Sequence, residues 1–122
     1  MGVFCVNETV FLTTGTELVL VCNTSIRDSI NYMYPTWWGP PNNTKYNTNS
    51  GLFNLELGEK LKRISWANNN IDLKLDSVTI NDAGLYMCDV IFKDKWYIYE
   101  IEVNVRGKFK YFSKLNSTSD LF

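Results

Sequence analysis

Three cysteines and no histidine set the limits of the chemistry open to this 122-residue chain. Without histidine, the side chain most used for proton transfer and transition-metal binding near neutral pH is missing. A nucleophilic role for Cys5 has no base to generate its thiolate. Carboxylate pairs such as Glu100 and Glu102 fit a solvated strand face better than an acid–base site. The expectation is therefore no enzyme, no cofactor and no metal. Cys5, Cys22 and Cys88 allow one internal bridge with one cysteine left over. A bridge from Cys22 to Cys88 would close a loop of roughly 65 residues and, in the chain-entropy account, stabilise the fold by about 4 kcal/mol. Cys5 then either pairs with a cysteine outside this sequence or on a second chain, or remains a buried thiol. Four Asn-x-Ser/Thr sequons begin at Asn7, Asn23, Asn42 and Asn116. Together with a disulfide, they point to the secretory route and an extracellular location, secreted or on a cell-surface protein.

The bulk properties agree with this chemistry. Acids and bases nearly cancel, giving a net charge of −1. The one basic stretch is Lys108, Lys110 and Lys114, so nucleic acid is not expected as a partner. No run approaches the ~20 apolar residues that cross a bilayer. Any leader or membrane anchor is expected to lie outside the sequence. The length suits one core rather than two.

Positioning the cysteines requires strands. The pattern is strand-length throughout, with turn signals between segments and no long amphipathic helix. Val3 to Leu12 is one strand, and Leu18, Leu20 and Cys22 share the inward face of the next. An aromatic strand over Tyr32 to Trp38 is stopped by Pro40-Pro41. Asn42 to Ser50 carries a short edge hairpin, and Leu52 to Leu55 reads as an edge strand. Lys60 to Trp66 and Ile71 to Leu75 form a hairpin about Asn68 to Asn70. Leu85 to Phe92 and Trp96 to Val105 form another about Lys93-Asp94-Lys95. About eight or nine strands result, an all-β chain.

The segment from Leu73 to Cys88 contains Asp82-x-Gly84-x-Tyr86-x-Cys88 after an alternating apolar strand. It resembles variable-type domains of the immunoglobulin superfamily, over roughly residues 3 to 105. The resemblance implies a two-sheet antiparallel sandwich with a Cys22–Cys88 bridge between sheets, shielded by a core tryptophan, Trp37 or Trp38. It implies that Tyr86 forms a tyrosine corner and that Asp82 pairs with Lys62 or Arg63. Residues 1–105 would then be the domain and 106–122 an extension, stalk or start of another segment, in which Phe109, Tyr111 and Phe112 could add a last strand. The strand from Tyr97 to Val105 lacks the Phe/Trp-Gly-x-Gly bulge of antibody and T-cell-receptor variable domains, so a receptor, ligand or adhesion module fits better.

In such domains the sheet of strands G, F, C and C′ commonly contacts other proteins. If Tyr86 and Cys88 point inward, Met87, Asp89 and Ile91 point out, and Glu100 and Glu102 bring Trp96 and Ile98 out with them. With Trp37 in the core, Trp38 joins them. The expected site is thus Trp38, Met87, Ile91, Trp96 and Ile98, rich in side chains that anchor interfaces. The partner expected is a protein, a host cell-surface or secreted immune protein, and the alternative is a homodimer through the same face. The Asn-, Lys- and Ile-rich composition resembles that of AT-rich genomes, including large DNA viruses with host-like immunoglobulin domains. On that resemblance the chain would act in immune modulation.

Overall fold

The computed structural model of the protein describes residues 6–29, 35–47 and 55–107. Cys5, Asn116, residues 32–34 of the expected aromatic strand, residues 52–54, and residues 108–122 of the expected extension 106–122 lie outside the described residues.

Eight strands build two sheets among the described residues. They are β1 (Glu8–Thr13), β2 (Leu18–Leu20), β3 (Thr36–Gly39), β4 (Thr44–Lys45), β5 (Ile64–Ala67), β6 (Asp72–Leu75), β7 (Gly84–Phe92) and β8 (Lys95–Arg106). The larger sheet has the order β1-β8-β7-β3-β4, and the smaller β2-β6-β5. β1 runs parallel to β8, and the other pairs are antiparallel. This is the two-sheet sandwich that the resemblance implied.

Turn chemistry determines the hairpins. Asn68, Asn69 and Asn70 all take positive φ between β5 and β6, a conformation asparagine tolerates better than most residues. Lys93 and Asp94 do the same between β7 and β8. Gly84 opens β7 at φ 141, with Pro40 packed where a Cβ would stand, 2.8 Å from its Cγ. Gly39, the last residue of β3, has no room for a side chain, since a Cβ there would lie 2.7 Å from the Tyr86 ring.

Two expectations change. β2 ends at Leu20 rather than Cys22, because the Cys22 amide donates to the Asp72 carboxylate at 2.8 Å instead of continuing the ladder. Lys60 to Arg63 is not strand but the end of a 3-10 segment, Leu55–Arg63, with Gly58 at φ 62 inside it. That turn carries Lys60 under the sandwich, where it is buried.

The core lies between the sheets. Leu20, Leu73, Leu75 and Val78 meet Trp37, Tyr86, Ile101 and Val103, all at most 1% exposed. The Cys22–Cys88 disulfide joins the sheets across this layer, with a Cα–Cα distance of 5.8 Å, ordinary for such a bridge.

Candidate functional site

The scaffold behind the larger sheet is held by polar groups as well as apolar ones. Trp37, opposite Cys88 in the β3–β7 register, is fully buried, and its indole N–H donates to the Ile71 carbonyl at 3.0 Å. Its backbone N–H donates to Asn47 Oδ1 at 2.9 Å, and Asn47 Nδ2 to the Pro35 carbonyl at 3.1 Å. The Tyr86 hydroxyl donates to the Asp82 carbonyl at 2.7 Å, the geometry of a tyrosine corner. The basic partner of Asp82 is Arg63, at 2.9 and 3.2 Å. Burial alone would raise the Asp82 carboxyl, but hydrogen bonds from Arg63 and the Thr79 amide, with the Lys60 and Arg63 charges, hold it below the ordinary aspartate value.

Beside Asp82 lies a group that sequence reasoning missed. Lys60 Nζ donates to the hydroxyls of Tyr46 at 2.7 Å and Tyr86 at 2.8 Å, and to the Pro40 carbonyl at 3.0 Å, with Asp82 at 3.4 Å. Burial lowers its pKa to about 8, against the opposing pull of Asp82. A second missed group is Asp72, which alternation puts opposite Leu73 and Leu75 and which is nevertheless fully buried. Arg27 closes over it with two bonds of 2.8 Å, and Asn68 also donates. These contacts and the Cys22 amide outweigh desolvation and lower its pKa. One signal was present in the sequence: an aspartate flanked by apolar residues in a strand needs a partner somewhere.

The outward face of the larger sheet follows from the same register. Tyr86, Cys88 and Val90 on β7 are buried, so Met87, Asp89 and Ile91 face away from the core. Ile101 and Val103 do the same for β8, which turns Trp96, Ile98 and Glu100 outward. The pairs are Ile91 with Trp96, Asp89 with Ile98, Met87 with Glu100, and Trp38 with Met87. The five residues singled out from alternation therefore share one face. They differ in exposure: Ile91, Trp96 and Ile98 are 67%, 64% and 40% exposed, whereas Trp38 and Met87 are half-buried. Lys45 accounts for part of this, with its Nζ 5.3 Å from the centre of the Trp38 ring.

Asp89 sits in the middle of this face. Trp38 Nε1 donates to its Oδ2 at 3.3 Å. Desolvation raises its pKa, opposed by the neighbouring Trp96 and Trp38 indoles and by the charge of Lys45. Among the described residues, no basic side chain forms a salt bridge with it. Sequence reasoning placed Asp89 outward and gave it no role, since alternation reports direction and not neighbours.

The sequon asparagines Asn7, Asn23 and Asn42 are all exposed. Asn7 borders the face, because its Oδ1 accepts from the Glu100 amide at 2.9 Å. A groove of about 740 Å³ lies elsewhere, between β1 and the end of β8, lined by Phe11, Thr13, Ala83, Val105 and Arg106 among others. It has no carboxylate or thiol in its lining.

No protein-family model matches the sequence, and no curated protein does. Solved structures match at the level of the fold. The first immunoglobulin-like domain of human CD48 is 13% identical with a TM-score of 0.66, over 84% of each chain. Tim-2 is 18% identical with a TM-score of 0.59, over 83% of this chain and 93% of its own. An immunoglobulin complex of titin M10 with obscurin-like 1 gives 15% and 0.54, over 85% and 91%. The fold is thus an immunoglobulin-like sandwich of variable type. Identities this low carry the fold alone.

Proposed function

We propose that this chain is an extracellular protein-binding module that recognises its partner through the outward face of β8, β7, β3 and β4. The observation that carries the reading is the clustering of Ile91, Trp96 and Ile98, exposed and adjacent on two paired strands, with Trp38 and Met87 beside them. Aromatic and aliphatic side chains held rigidly by a sheet anchor interfaces at low entropic cost. The disulfide and exposed sequons favour a secreted or surface-displayed setting. The Asn-, Lys- and Ile-rich composition extends the reading to immune modulation at a host–virus boundary, with a host surface or soluble immune protein as the partner.

The test is capture from immune-cell surfaces and serum by the glycosylated domain, beside a Trp96→Glu, Ile98→Lys variant with native circular dichroism. Capture of one protein by the native domain alone supports the reading, and equal capture by both variants moves the site elsewhere. Sedimentation equilibrium completes it: a native dimer that the double variant abolishes would replace foreign recognition by self-association through the same face.

A further inference from the structure

The proposed face has a negative charge at its centre, and what that charge receives can be argued from its surroundings. Asp89 is half-buried by its neighbours on the sheet. Cross-strand pairing puts Thr36 and Ile98 level with it, Ile91 and Trp96 in the row on one side, and Trp38, Met87 and Glu100 in the row on the other. Trp38 donates to the carboxylate from one flanking row, and Trp96 stands in the row on the other side. One indole donor leaves most of a carboxylate's accepting capacity unused and does not neutralise its charge. Lys45, whose charge acts on Asp89, is stacked on the Trp38 ring rather than joined to the carboxylate. Glu100 and Glu102, outward on β8, add to the negative potential, and among the described residues neither forms a salt bridge.

A desolvated carboxylate walled by aromatic rings complements a planar cation. The charge pairs with it, and the carboxylate's unused lone pairs can accept a forked pair of N–H bonds from it. Resting on the reading of this face as the binding surface, we infer that Asp89, flanked by Trp38 and Trp96, is the subsite for a cationic side chain of the protein partner, an arginine guanidinium, around which Ile91, Ile98 and Met87 pack apolar surface. Charge complementarity selects this occupant. A second copy of the face would set Asp89 and Glu100 of one chain against the same acids of the other.

The probe is N-acetyl-arginine methylamide, with the neutral, isosteric N-acetyl-citrulline methylamide as its control. Each is titrated into the ¹⁵N-labelled domain while the four indole N–H signals are followed. The arginine compound is expected to shift the Trp38 and Trp96 signals in a saturable way while Trp37 and Trp66 stay in place. The citrulline compound is expected to leave all four unmoved. In Asp89→Asn, which keeps an acceptor for the Trp38 indole and loses the charge, arginine binding should weaken by about tenfold. The unmoved Trp37 signal of that variant reports its fold. Equal shifts with citrulline, an unchanged titration in Asp89→Asn, or no shift of Trp38 and Trp96 would each overturn the inference. The underlying reading fails separately. If Asp89→Asn still captures the partner while Trp96→Glu, Ile98→Lys does not, the face stands and the cation subsite falls. If the double variant captures as well as the native domain, the face itself falls.

Discussion

Lys60 uses all three of its N–H donors inside the protein, on two tyrosine hydroxyls and a proline carbonyl. Its pKa is about 8 when folded, against an ordinary 10.5. Between these values the unfolded chain holds a proton that the folded chain has released, so stability rises with pH across that window. Tyr46 and Tyr86 act oppositely: burial raises both phenols above 10.0, so the unfolded chain loses their protons first and stability falls at higher pH. Urea midpoints taken from pH 7 upward should therefore climb above about pH 8 and turn over beyond about pH 10. In Lys60→Met the climb should vanish and the fall remain. Asp72 gives a second test at this scale. Asp72→Ala strands the Arg27 guanidinium and the Cys22 amide. It should cost about 2–4 kcal/mol in urea unfolding, short of a fully buried pair because Arg27 keeps 26% of its side-chain surface exposed. Neither residue was legible as buried. Lys60 stands in the charged run Glu59-Lys60-Leu61-Lys62-Arg63 and Asp72 in an alternating strand, and their burial is decided mostly by partners 14 to 50 residues away. Tyr86 and Asp82 were legible through the Asp82-x-Gly84-x-Tyr86-x-Cys88 pattern, which the resemblance reads as one unit even though the Arg63 partner of Asp82 lies 19 residues away.

The strands were read with fair accuracy wherever alternation coincides with a turn signal. β7 and β8 came within a residue or so of their ends, because Lys93 and Asp94 supply the turn and both strands have an inward face set by large apolar side chains. The 3-10 segment over Leu55–Arg63 was missed because its apolar positions, Leu55, Leu57 and Leu61, are too few and, with Gly58 between them, too interrupted to display a helical period. β3 shows how closely an element can depend on one small residue. Its last position, Gly39, faces the Tyr86 ring and the Tyr46 hydroxyl, with room for no Cβ. Gly39→Ala should displace Tyr86 from its corner and cost about 1–3 kcal/mol, read as a lowered urea midpoint with loss of the tyrosine signal in near-ultraviolet circular dichroism.

Among the described residues, two sheets are joined by the Cys22–Cys88 link and a shared apolar layer. The bridge spans a sequence separation of 66, so replacing Cys22 and Cys88 together by alanine should cost about 4 kcal/mol in urea unfolding, chiefly by freeing the unfolded chain. A fold of this kind was legible because its signature is made of residues the architecture itself requires: two bridged cysteines, a core tryptophan and a tyrosine corner. The face was legible only as a direction. Alternation sent Trp96, Ile98 and Ile91 outward, while the bond from the Trp38 indole to Asp89 depends on a rotamer that no periodicity encodes. The central claim is that this face is where the partner sits. Amide hydrogen exchange of the domain, alone and bound to the captured protein, tests it most directly. Slowed exchange confined to β3, β4, β7, β8 and the Lys93–Asp94 turn is the predicted result. Slowed exchange on β2, β5 and β6, with the larger sheet unchanged, would contradict it.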